Sequence, residues 1–231
     1  MRLTPDQMVL FRHGRIVVNE TIAFTWAIMI LLVILSRGIT RKLTSQANMG
    51  RGQNMLEIII GFVQNQIKET GVPHPERYLP FIGTLFIFIG TASVLSVIPG
   101  FEPPTGSLST TAALAICVFI AVPLFGVLEE GVAGYLGHYI QPSVFMLPFH
   151  LMGEISRTLA LAVRLFGNVM SETKLIVILI AVSPFFFPVL MHALGLVIGL
   201  IQAYIFAVLA LVYIASAARA HEVRKGRTEE K

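Results

Sequence analysis

His150, Glu154, Arg157, Arg164, Asn168 and Glu172 follow one another at spacings of 4, 3, 7, 4 and 4 residues. Those spacings hold side chains on one face of an α-helix. The residues between them are mostly leucine, isoleucine, valine and alanine, so the ribbon lies on a helix that is otherwise apolar. An ionised Arg or Glu at mid-membrane costs at least about 2.5 kcal/mol, and such groups occur where they face water, a counter-charge or a partner. The chemistry open to this ribbon is therefore movement of a proton or cation. Arg164 stands apart within it, because positions 160, 161, 167 and 168 are Ala, Leu, Gly and Asn and supply no acid on its own helix. Its counter-charge must come from water or from another polypeptide. Glu172 is two residues from Lys174, a spacing that does not bring side chains together, which leaves Glu172 available as a relay. Glu154 and Arg157 support two readings: a pair that neutralises itself and ties the helix to its neighbours, or part of the ion path.

A second stretch answers the first. His192, Gly195, Gly199 and Gln202 share one helical face, with Tyr213 and Ser216 further along. Glycines at this spacing serve close helix packing, and a buried Gln202 amide needs partners, which the Arg164 ribbon would provide. His192 is either interfacial or a further exchangeable group.

These two stretches sit in a chain made for lipid. Of its 231 residues 55% are hydrophobic and 13% charged, where soluble proteins carry about a quarter charged, and the mean hydropathy is +0.77. A water-soluble domain is excluded by this composition. At about 20 residues per crossing, five spans are expected: 17–36, 78–98, 107–128, a long charged helix over 143–182, and 189–218. Over 54–70, Leu56, Ile59, Ile60, Val63 and Ile67 line one face and Glu57, Gln64 and Lys68 another, the pattern of an amphipathic helix on a membrane surface. Glu129 and Glu130 are expected to stop the third span, and three glycines over 131–141 read as a loop or distorted surface segment. Pro184 and Pro188 around three phenylalanines read as the turn before the last helix. The charged helix, about 54 Å long over 147–182 at 1.5 Å per residue, exceeds about 30 Å of hydrocarbon. The fold expected is thus a single all-α integral membrane domain over 1–231, about five transmembrane helices plus one interfacial helix, its last two helices a long, steeply tilted hairpin.

Loop cations set the orientation. Arg37, Arg41, Lys42, Arg51, Lys68 and Arg77 fall on one side together with a basic tail over 219–231, while the other side receives only Arg2, Arg12 and Arg15. This places the N terminus outside and the C terminus in the cytoplasm. Cys117 is the sole cysteine, so no internal disulfide and no cysteine-built metal site is expected. No phosphate loop, HExxH zinc motif or GxSxG elbow is found, so catalysis by this chain alone is not expected, and its cations sit where they orient rather than bind nucleic acid.

Glu154-Ile155-Ser156-Arg157, then Arg164-Leu165-Phe166-Gly167-Asn168, then Gln202-Ala203-Tyr204-Ile205-Phe206 and Tyr213 together resemble subunit a of the F-type ATP synthase, closely over 140–218 and by span pattern over the remainder. The resemblance implies an ion-conducting stator subunit with two offset half-channels reaching carboxylates on a rotating c-ring, against which the hairpin lies. Arg164 would prevent a short circuit between them, with Asn168, Gln202, Glu172 and His192 on the outer route and His150 and Glu154 towards the cytoplasm. Arg157, Ser171, Gly195, Gly199 and Tyr213 would give polar or packing support. It further implies the c-ring proteolipid, the peripheral-stalk b subunits and the remaining synthase subunits as partners. A bacterial inner membrane is the expected location, a proton or alternatively sodium the cargo, with no cofactor and no resident metal. The chain departs from the family pattern in three places. Thr173 stands nine residues after Arg164 where an acid is usual, with Glu172 one position earlier; Gly195 stands where a His or acid is usual, with His192 one turn away; and Thr158 replaces a proline. The competing reading is an independent multi-span ion or solute transporter or channel, against which stands the lack of an inverted repeat.

Overall fold

In a computed structural model, residues 9–13, 16–41, 51–72, 74–98, 101–140, 146–182 and 186–219 are described. Six α-helices follow a short hairpin of strands β1 (Val9–His13) and β2 (Ile16–Asn19). The hairpin changes the expected start of the first span. Val17 and Val18, read as the beginning of a helix from 17 to 36, pair with Arg12 and Phe11 in antiparallel register, as β-branched residues favour. Helix α1 then spans Glu20–Thr40.

The amphipathic pattern becomes α2, Arg51–Glu69, closed by Gly71 at φ 64°, a left-handed value that glycine adopts without cost. Val63 and Ile67 of the predicted stripe are buried, but Ile60 is exposed, and Met55 and Ile58 present a second apolar face at 66% and 62% exposure. Helix α3, Pro75–Leu95, begins a turn before the expected 78 because Pro75 suits the first helical position. It ends before the expected 98, where Ser96, Val97 and Ile98 form turns ahead of Pro99.

The third span is followed by a kink rather than a loop. Helix α4 runs Leu108–Ile140 but is two helices meeting across a kink at Gly131, at φ 74° and ψ 164°, so the apolar span Leu108–Glu129 ends where the two glutamates were expected to stop it, while the distorted segment after it is helical from 132 to 140 rather than a loop. Glu129 also faces a neighbour: its Oε1 accepts from Arg77 Nη1 at 3.2 Å and from the buried Tyr78 hydroxyl at 3.4 Å. Helix α5 covers Met146–Val182 and α6 covers Phe186–Arg219, with Pro188 inside the first turn of α6 rather than in a preceding turn. There its missing N–H would be unbonded in any case. The expected positions 143–145, 183–185 and the tail beyond 219 lie outside the described residues.

Among the described residues, helices α1, α3, α4 and α6 are long and apolar enough to cross a membrane; α5, counted as a fifth span from the sequence, is not one of them. At 37 and 34 residues, α5 and α6 are each about 50 Å long or more. Helix α6 is the hub, in contact with α3, α4 and α5, and its buried Ala203, Ala207, Ala210 and Ala215 let neighbouring helices approach closely. A wide outer surface of large apolar side chains, Trp26, Val33 and Ile34 on α1 among them, suits contact with lipid.

Candidate functional site

The α5–α6 pair runs antiparallel, and three contacts fix its register. Arg157 lies over the Tyr213 ring, 5.5 Å from its centroid; Asn168 Nδ2 donates to Gln202 Oε1 at 2.9 Å; and the Glu172 carboxylate reaches Gly195. Arg157, Asn168 and Glu172 of the polar ribbon therefore meet α6, and the partner of Gln202 is Asn168.

Each contact has its own local cause. Gln202 is 3% exposed, so its amide must be satisfied from within the bundle. Its oxygen is, while its Nε2 finds no partner among the described residues. A β-carbon built on Gly195 would stand within the Glu172 carboxylate, so this glycine makes room for a side chain of α5 rather than for backbone. At Gly199 the neighbour is different: a β-carbon there would come 2.7 Å from the Cβ and Oγ of Ser93 on α3. Ser93 is buried and its hydroxyl donates to Ile89 O at 3.0 Å. One helical face of α6 thus receives α5 at Gly195 and Gln202 and α3 at Gly199. Ser93 is a residue that sequence reasoning missed; a serine in an uncharged span was the available signal.

At the other end of the hairpin Glu154, Arg157, Thr158 and Tyr213 line a cleft with Val118 and Val122 of α4, and His150 is half-buried one turn away. The Arg157 stacking shows that this guanidinium uses an aromatic face, an option not weighed in the reading of Glu154 and Arg157 as a neutralising pair. His192 is half-buried one turn before Gly195, and Ser171 is exposed.

Arg164 is exposed on α5, and among the described residues no carboxylate pairs with it, the single ion pair there being Arg77–Glu129. Gly167, one turn along α5, has open space at its Cβ position, and Ala160 and Ser171, one turn before and two turns after Arg164, are small and exposed on the same side. The charge stands exposed among small side chains. This exposed cation stands one turn before the part-buried Asn168–Gln202 amide pair, with the Glu172 carboxylate one turn further along.

Comparison with known proteins places this architecture. The profile of the ATP synthase A chain family matches residues 22–215. ATP synthase subunit a of Albidiferax ferrireducens is 56% identical over 219 residues, 95% of each chain. ATP synthase subunit a 1 of Chlorobaculum parvum is 56% identical over 222 residues, 96% of this chain and 98% of the relative. ATP synthase subunit a of Nitrosospira multiformis is 50% identical over 230 residues, 100% of this chain and 92% of the relative. With four membrane-length apolar helices and relatives matched over nearly its whole length, the chain is an integral membrane protein and belongs to the ATP synthase A chain family, subunit a of the F-type ATP synthase.

Proposed function

We propose that this subunit conducts ions to and from a ring of c-type proteolipids through two offset half-channels, with Arg164 as the fixed charge that keeps them apart. The observation that carries the reading is Arg164 itself, exposed and without an acid partner among the described residues. A permanent guanidinium at that place draws an arriving ring carboxylate into its ionised form and repels a cation crossing directly between the channels. Arginine suits the task because it keeps its proton and spreads its charge over a plane.

The outer route runs along Asn168, Gln202 and Glu172, with His192 near its mouth; the cytoplasmic route runs past His150 and Glu154. The Asn168–Gln202 bond supports the first, because two amides at the centre of the hairpin can exchange partners with water as an ion passes. A proton is the favoured cargo, since the side chains along both routes can give and accept protons. The ring and the stalk b subunits are the partners, the N terminus lies outside and the C terminus lies in the cytoplasm, as the loop cations require. ATP chemistry resides on other subunits.

The test is ATP-driven ion pumping by the assembled synthase in inverted membrane vesicles. Arg164→Ala is expected to abolish it while the complex still assembles; coupled pumping at the parental rate in that variant would reject the stator role.

A further inference from the structure

Two guanidiniums stand on one side of α5, and the chain restrains one of them. Arg157 and Arg164 are seven residues apart, a spacing that returns a side chain to nearly the same direction two turns on, about 10 Å along the axis. Both are exposed, and Ala160 between them is small and exposed as well, so no bulky side chain on that side separates one cation from the other. Neither forms an ion pair among the described residues, where the pair is Arg77–Glu129. They differ in what holds them. Arg157 lies over the Tyr213 ring of α6, 5.5 Å from its centroid, within the range of a cation–π contact.

Tyr213 is a firm support for that contact. Its side chain packs against the core beside Leu211 and Ile214 of α6, which are 1% and 0% exposed. The ring opens onto the cleft that Arg157 and Glu154 line together with Val118 and Val122 of α4. The Arg157 side chain is therefore directed across to α6 and α4 rather than along α5 towards Arg164.

The direction matters because a second free cation two turns from the first competes with it. An arriving carboxylate is attracted by either charge, and away from bulk water the attraction reaches well past contact distance. An anion held at position 157 would stand short of the barrier at position 164. Stacked on an aromatic face, the planar guanidinium keeps its charge but loses its freedom to reach for that anion.

We propose that Tyr213 is a positioning residue for the charge barrier: its ring holds the Arg157 guanidinium in the cleft between α4 and α6, which leaves Arg164 as the one cation presented to the ring carboxylates. The inference rests on the reading of Arg164 as the fixed charge of an ion-conducting subunit and adds to it the means by which a neighbouring cation is kept from taking the same role.

The experiment uses the assembled synthase in inverted vesicles, with ATP-driven pumping compared at equal complex content. Tyr213→Leu removes the ring and Tyr213→Phe keeps it; each is made with Arg157 present and again in an Arg157→Gln background. With Arg157 present, Tyr213→Leu is expected to lower pumping about fivefold, the size of one cation–π contact of ordinary strength, and Tyr213→Phe to stay near the parent. In the Arg157→Gln background Tyr213→Leu is expected to have no further effect, since no stray charge remains, whereas a loss of packing alone would act in both backgrounds alike. Parental pumping in Tyr213→Leu, an equal loss in Tyr213→Phe, or equal losses with and without Arg157 would overturn the inference. Should Tyr213→Leu fail to assemble, Tyr213→Met, whose unbranched chain adapts to irregular gaps, takes its place with the same expectations. Arg164→Ala in the same vesicles separates the two levels: if it pumps normally the ion-conducting reading fails, and if it is inactive while Tyr213→Leu acts equally in both backgrounds only the role of Tyr213 fails.

Discussion

The carboxylate of Glu172 on α5 occupies the space that a β-carbon on Gly195 of α6 would fill. The absence of a side chain at one position is thus what seats the acid at the other, and it ties together two departures from the family pattern: an acid one residue earlier than usual and a glycine where a polar side chain is usual. A single methyl group at position 195 must move the acid, because the obstructing atoms are the far end of a flexible chain while the helix backbone is fixed.

Gly195→Ala is therefore expected to assemble normally and to lower pumping about tenfold, since an ångström of misplacement in a working group costs one to two orders of magnitude in rate. Complex yield and ATP-driven pumping, measured on the same vesicles, check this. Parental pumping would show that the position of Glu172 does not matter.

Gly199→Ala tests packing instead. The atoms within 2.7 Å of the added carbon include Cβ of Ser93, which cannot swing aside, so overpacking of about 1–3 kcal/mol is expected. The thermal midpoint of the purified complex should fall, and Ser93→Gly added to Gly199→Ala should recover most of the loss. No recovery would place the strain elsewhere.

Glu129 has two partners of unequal weight. Arg77 is 56% exposed, so its ion pair contributes less than about 1 kcal/mol, whereas Tyr78 is fully buried and its hydroxyl left without an acceptor costs about 1–3 kcal/mol. Glu129→Gln should therefore be nearly silent in thermal unfolding and Glu129→Ala clearly destabilising, with Tyr78→Phe relieving much of the Glu129→Ala loss. Equal effects of the two Glu129 variants would contradict this ranking.

Helix α2 is tied to the hub by one hydrogen bond, Tyr204 Oη donating to Gln66 Oε1 at 2.8 Å, beside the Phe62–Tyr204 ring contact at 5.7 Å. Tyr204→Phe and Gln66→Leu should each cost about 0.5–1.5 kcal/mol, and the double variant little more than one of them. Additive losses would show that the two groups act independently.

The polar ribbon could be read from the sequence because period and chemistry coincide: six polar residues at helical spacing in an apolar run admit one placement. The existence of a facing helix followed from Gln202, whose amide needs a partner. What stayed hidden depends on which element lies opposite. Gly195 and Gly199 look alike in sequence, yet one accommodates an acid of α5 and the other a serine of α3, and nothing local distinguishes them. Glu129 ends an apolar run and does close the span, but that its carboxylate also serves Arg77 and Tyr78 across the bundle depends on which helix lies opposite. Val17 and Val18 are as hydrophobic as the span they precede, and only pairing with Arg12 and Phe11 makes them strand.

The most direct measurement of the Arg164 barrier is passive ion flux down an imposed gradient through the membrane sector, with the ATP-hydrolysing subunits removed. If the guanidinium separates two aqueous routes, Arg164→Ala should keep or raise this downhill flux while its driven pumping is lost. Driven pumping preserved together with unchanged downhill flux would contradict the account.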